Sequence, residues 1–122
     1  MKIILIILLV LTLATPVVAN VTGEMTVEKY QKIKNNKESK DEIEAYIYGV
    51  GVGLEWANTW LDEKKQCNLF CPPKNLFLNY KNYVSIIDIK IKKLKESNTK
   101  NYKDYPIEMI LFIGLQEMFP CR

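Results

Sequence analysis

The 122-residue chain contains no histidine, and that absence removes more chemistry than any residue present supplies. Ser-His-Asp and Cys-His nucleophile pairs, His-ligated zinc and the usual general base near neutral pH are all excluded. Arginine is nearly missing as well, with Arg122 the only one among 17 basic residues. Specific readout of phosphates and bases leans on the guanidinium fork, so a surface charged by lysine argues against a nucleic-acid partner. No cysteine precedes Cys67. A lipoprotein signal places a cysteine directly after its cleavage site, so a lipid anchor is not expected.

Residues 1–19 have the form of an export signal. Lys2 gives a positively charged start, residues 3–11 form an unbroken apolar run, Pro16 interrupts it, and Val17-Val18-Ala19 supplies the small residues that a signal peptidase needs. Cleavage is expected before Asn20. The apolar run falls short of the roughly 20 residues a membrane span requires, so the product is expected to be periplasmic and not membrane-anchored. Removing 19 of the 122 residues leaves 103, enough for one domain (residues 20–122) with a single modest core. Loss of Lys2 leaves 16 basic residues against 14 acidic, a balance too even to name a partner.

Cys67, Cys71 and Cys121 allow one disulfide and leave one thiol over. The chain-entropy model gives about 4 kcal/mol for closing a loop of about 50 residues between Cys71 and Cys121, against about 2 for the short Cys67–Cys71 loop. That comparison favours Cys71–Cys121. Cys67 is then a buried small hydrophobe or a thiol available for an intermolecular bond.

Helical periodicity organises the rest. Thr26 caps a short first helix with Val27, Tyr30 and Ile33 on one side, and residues 34–40, rich in Lys and Asn, read as a loop. Ser39 and Glu42 have capping-box spacing. The helix that follows carries Ile43, Ile47, Val50, Leu54, Ala57 and Leu61 as one buried stripe. A parallel line runs through Ala45, Gly49, Gly53, Trp56 and Trp60, with Glu44, Tyr48, Glu55, Asn58 and Asp62 as the polar edge. This helix is expected to be central and buried on two sides. Its three glycines, Gly49, Gly51 and Gly53, each cost up to about 1 kcal/mol relative to alanine, which calls for a neighbouring backbone at close range. They lack both the preceding strand and the spacing of a dinucleotide loop.

Cys71-Pro72-Pro73 ends the helical pattern in a stiff turn. Asn79 caps a third helix reaching about Ser97, with Tyr80, Val84, Ile87, Ile91 and Leu94 inward and Lys81, Ser85, Asp88, Lys92 and Lys95 in water. Residues 98–105 form an exposed connection. Pro106 suits the first position of a last helix over Ile107–Met118. That helix has so few polar groups that it belongs at the centre of the domain or against a second subunit, which favours a homodimer. The fold class is therefore all-α, a compact bundle of four to five helices closed by one disulfide.

No constellation for catalysis emerges, and no cofactor or metal is expected. Cys67 and Cys71 lack the Cys-x-x-Cys redox spacing, and three cysteines do not complete a Cys₄ zinc site. Glu44, Glu55 and Asp62 read as a solvated helix face rather than paired acids. The aromatic set Trp56, Trp60, Tyr80 and Tyr83 reads as core packing rather than a ligand pocket.

Four features occur in order: the helix with Tyr46-Ile47-Tyr48-Gly49-Val50-Gly51, the turn Phe70-Cys71-Pro72-Pro73, an amphipathic helix, and Pro106 leading to Phe119-Pro120-Cys121. Together they resemble the Rap/Tai family of type VI secretion immunity proteins, over roughly residues 42–121. The resemblance implies a periplasmic all-helical protein that binds a cognate peptidoglycan amidase effector and blocks its active site, protecting against self and sibling intoxication. It also implies a disulfide between Cys71 and Cys121 and frequent dimerisation. Cys67 and the high Lys and Asn content depart from the pattern and leave open which toxin is recognised. The exposed connection, with Asn98, Lys100, Asn101, Tyr102 and Asp104, is the partner-binding candidate. The competing reading is a periplasmic acid-stress chaperone that exposes apolar helices on protonation, with Asp and Glu as sensors. An enzyme with Cys67 as nucleophile ranks third, because no histidine exists to activate it.

Overall fold

The computed structural model describes residues 25–121; the export signal expected over residues 1–19 and its expected cleavage before Asn20 lie outside them, as does Arg122. Four α-helices follow in order, α1 (Val27–Ile33), α2 (Lys40–Glu63), α3 (Tyr80–Glu96) and α4 (Ile107–Met118), with a 3-10 turn at Tyr102–Asp104 before the last. This is the expected all-α bundle, and the Cys71–Cys121 disulfide closes it, with the two α-carbons 5.0 Å apart.

The helix starts follow from local chemistry. Thr26 is extended and its hydroxyl accepts from the Lys29 N–H, filling one donor left free at the start of α1. Asn79 accepts from the Lys81 and Asn82 N–H groups while the Asn82 side chain accepts from the Asn79 N–H, a reciprocal box that opens α3.

Two expected starts differ. Ser39 makes no side-chain cap, because a turn in which Asn36 Oδ1 accepts from the Glu38 N–H winds straight into α2 and leaves Ser39 in helical rather than extended backbone. Pro106 is the N-cap of α4 rather than its first residue, with an extended ψ of 140°. It is held extended because it pairs with Thr26 in a single antiparallel bridge. There the Val27 N–H donates to Tyr105 O at 2.9 Å, and the Ile107 N–H donates to Met25 O at 2.8 Å. The start of α4 is thereby tied to the start of α1.

Helices α2 and α3 both end in the same hydrogen-bonded motif. The Gln66 N–H reaches Leu61 O and the Lys65 N–H reaches Asp62 O, while Thr99 and Asn98 do the same to Leu94 and Lys95. Asn98 and Lys65 take the left-handed conformation this requires, with φ of 52° and 54°. Asparagine tolerates it well and lysine less so.

The core sits between α3 and α4, which pack along each other, with α2 laid against α3 and, over less of its length, against α4. The chief contributors are Tyr83, Ile86, Ile87 and Ile91 from α3 and Ile107, Ile110, Leu111 and Leu115 from α4. Each fully buried aliphatic chain contributes roughly 1.5–3 kcal/mol. Helix α1 buries Val27 and Tyr30 beside the 3-10 turn, and the Tyr30 hydroxyl and Lys34 Nζ both bond Asp88 Oδ1, at 3.0 and 2.9 Å. Asp88, expected in water, is thus half-buried and ties α1 to α3.

Helix α3, packed against both α2 and α4, takes the central place, whereas α2 does not. Only Ile43, Ile47 and Gly51 of α2 are buried. Val50, Leu54 and Leu61 are half-buried, and Ala57, expected in the buried stripe, is exposed. The second line, Ala45, Gly49, Gly53, Trp56 and Trp60, is exposed throughout. A bundle of this size has only α3 and α4 to set against α2, and both lie on one side of it.

Candidate functional site

The outer face of α2 carries large apolar groups in solvent. Trp56 is 70% exposed, Trp60 57% and Tyr48 51%, so the expected core role holds for Tyr83 and not for the tryptophans. Tyr80, the fourth of that set, is half-buried. From position 45 to position 60 the only carboxylate or amine is Glu55. Its Oε1 accepts from the buried Tyr83 hydroxyl at 2.5 Å. A solvated helix face normally carries several charges over that length, so this face has the composition of a contact surface.

Of the three glycines, Gly51 alone is closely approached. A Cβ there would collide with the Tyr83 ring, whereas a Cβ on Gly49 or Gly53 would meet nothing within 4 Å. The neighbour is an aromatic ring and not the backbone that the sequence suggested. Gly114 of α4 has the same role toward the Ile86 side chain.

Next to this face lies a loop built for rigidity. Asn58 Oδ1 accepts from the Leu69 N–H at 2.7 Å and more weakly from that of Phe70, and Asn58 Nδ2 donates to Phe70 O at 2.7 Å. One side chain of α2 therefore pairs with the loop backbone as a neighbouring strand would. Gln116 of α4 donates to Leu69 O, the Cys71 N–H donates to Phe119 O at 2.7 Å, and the Phe70 ring is fully buried. The disulfide follows at once, then Pro72 and Pro73, and the Leu76 N–H closes a turn on Pro73 O. At the far end Leu78 packs against the core and the Asn79 box opens α3.

Between these two anchored ends the crest, residues 74–77, is exposed, and the Phe77 ring stands 89% in solvent. Leu76 and Phe77 border a hollow whose other wall is Glu55, Thr59 and Phe70. The crest and the aromatic face of α2 are thus neighbouring surfaces.

The connection read as partner-binding has a different character. Asn98, Lys100, Asn101 and Asp104 are exposed, and Asn101 takes a positive φ of 57°. Tyr102 is half-buried and packs on the core together with Tyr105. Cys67 is exposed, not buried, because it follows the last turn of α2 and precedes the Asn58 clamp. The crest at Leu76 and Phe77 escaped the sequence reading. Its signal was an apolar triplet, Leu76-Phe77-Leu78, lying between two prolines and a helix cap and belonging to no helical stripe.

Two buried hydroxyls are held well above the ordinary tyrosine range. Burial is the first cause for both Tyr30 and Tyr83, and the facing carboxylates, Asp88 and Glu55, push in the same direction. Each therefore stays a neutral donor. Among the described residues, no three His, Cys, Asp or Glu side chains converge on a point that would hold a metal ion, and no helix is long and apolar enough to cross a membrane. Compared with models of protein families, with curated proteins and with solved structures, the chain matches none.

Proposed function

We propose that this chain is a periplasmic immunity protein that binds a peptidoglycan amidase of a type VI secretion system and inhibits it by seating the Leu76–Phe77 crest in the enzyme's cleft. The observation that carries the reading is Phe77, 89% exposed on a loop whose two ends are both anchored. An apolar ring left in water on a loop already held in shape loses little freedom on docking, which is what makes inhibitory loops bind tightly.

The motifs behind the family resemblance support the same place. Phe70-Cys71-Pro72-Pro73 and Phe119-Pro120-Cys121 are the two segments joined by the disulfide, and they form the base of the crest. Stoichiometric blocking of a cleft needs no catalytic group, which agrees with a sequence lacking histidine. Export through residues 1–19 would deliver the chain to the compartment where such an amidase acts.

The test is titration of periplasmic peptidoglycan amidases with the secreted chain, beside Phe77→Asp. We expect one amidase to lose activity at equimolar ratio, and Phe77→Asp to abolish that inhibition with the fold unchanged. A chain that leaves every amidase active and instead holds denatured proteins soluble at acid pH would be an acid-stress chaperone.

A further inference from the structure

Lysine is spread unevenly over the surface. Helix α1, the last turns of α3 and the connection after it meet at one end of the bundle, where the 3-10 turn packs against both helices. Exposed there are Lys29 and Lys32 of α1, Lys92 and Lys95 of α3, and Lys100 and Lys103 of the connection, against the acids Glu28, Glu96 and Asp104. Two of these acids are engaged along their own helices, Glu28 by Lys32 at 3.0 Å and Glu96 by Lys92 at 3.8 Å. Lys29, Lys95, Lys100 and Lys103 are therefore opposed by Asp104 alone. The rest of the described chain carries nine lysines and ten acids, so the positive charge of the domain resides at this end. Helix dipoles do not account for it. Lys95 suits the end of α3, but Lys29 stands in the first turn of α1, where a cation is disfavoured, and Lys100 and Lys103 lie outside any α-helix.

The chemistry of this end selects a surface of phosphate groups. None of the large exposed apolar side chains lies on α1 or between residues 92 and 104, so attraction here is by charge alone. Single-stranded nucleic acid needs aromatic platforms for its bases, and the exposed rings, Tyr48, Trp56, Trp60 and Phe77, all stand on α2 and the crest. The six cations are all lysines. No guanidinium fork reads a fixed phosphate geometry, whereas flexible ammonium groups suit lipid phosphates that move in the plane of a bilayer.

We propose that this lysine-rich end rests on an anionic phospholipid bilayer. Helix α3 begins just after the crest and runs for 17 residues, so it sets Phe77 about 25 Å from the lysines at its far end and leaves the crest free. The membrane-facing surface is distinct from the crest and does not depend on what the crest binds.

Co-sedimentation of the secreted chain with vesicles of phosphatidylglycerol and phosphatidylcholine in equal parts is the test, at about 0.1 M ionic strength, where charges are screened beyond about 10 Å. We expect binding that vesicles of phosphatidylcholine alone do not support and that fades as salt is raised. Lys95→Gln, Lys100→Gln and Lys103→Gln together should weaken it by about a hundredfold, about fivefold for each lysine, with helical circular dichroism unchanged. The same loss of three charges at the crest end, by Lys64→Gln, Lys74→Gln and Lys81→Gln, should change it by less than about threefold, because that end lies beyond the screening distance. A chain that stays in solution beside anionic vesicles, binds neutral ones equally well, or is weakened alike by both triple variants would overturn the proposal.

Discussion

Tyr83 closes over Gly51: its ring is buried against the α-carbon of that residue, and its hydroxyl donates to Glu55, one turn further along α2. The ring is trapped at both ends, so it has no route by which to yield to a larger residue. Gly51→Ala should destabilise the fold by about 1–3 kcal/mol through overpacking, despite the better helix propensity of alanine. Gly49→Ala and Gly53→Ala, which enter open space, should each stabilise the monomer by up to about 1 kcal/mol. Urea midpoints at low protein concentration check this, and a shift of the same sign at all three positions would contradict the packing described.

Asn58 is the hinge between α2 and the loop that carries the crest. Asn58→Ala leaves the Leu69 and Phe70 N–H groups and Phe70 O without their partner, at a cost of about 1–3 kcal/mol. Hydrogen exchange should speed up at Leu69 and Phe70 while the middle of α3 stays protected. Uniform loss of protection would mean that the clamp supports the whole bundle and not this loop.

Cys71 and Cys121 close a loop with a sequence separation of 50, so replacing both by serine should lower stability by about 4 kcal/mol. Cys67 is exposed and bonds nothing, and Cys67→Ser should stay within about 0.5 kcal/mol of the parent. Unfolding in urea with and without reductant distinguishes the two.

Tyr30 and Tyr83 dictate an alkaline limit. Burial, then the carboxylates of Asp88 and Glu55, hold both hydroxyls above the ordinary value of 10.0 in the folded state. Their contribution is fully present below pH 10.0 and is lost above it, as the unfolded chain releases protons that the folded chain keeps. Phenolate absorbance should show two of the 7 tyrosines silent until the chain unfolds. Tyr83→Phe should make the alkaline decline less steep.

Glu117 acts at the other end of the pH scale. The hydrogen bond from Lys90 holds its carboxyl below the ordinary 4.5; burial opposes it, and the attraction of Lys90 and then Lys93 adds to the lowering. Because the folded value is depressed, the gain is present above pH 4.5 and lost as pH falls through the folded value. Glu117→Gln should remove that part of the acid decline in thermal-melt midpoints, leaving the alkaline side as it was.

Much of the fold was legible because it is written locally. The Thr26 and Asn79 caps, the end of α3 at Asn98 and the extent of α4 each depend on residues a few positions apart, where side chain and backbone compete directly. The disulfide partner also followed from loop entropy, a property of the unfolded chain. Ser39 failed for an equally local reason, the preceding turn that set its backbone before its hydroxyl could act.

The sequence by itself determined that the chain is helical, where its helices run and which two cysteines join, since periodicity, caps and loop length need no knowledge of neighbours. Tertiary structure alone decided which apolar face of α2 is covered, because two faces carried apolar side chains and only one had α3 and α4 beside it. It alone made Gly51 a contact for an aromatic ring while leaving Gly49 and Gly53 open, and it alone raised Phe77 above the anchored ends of its loop. Burial is a relation between elements distant in the chain, and a pattern within one element does not contain it.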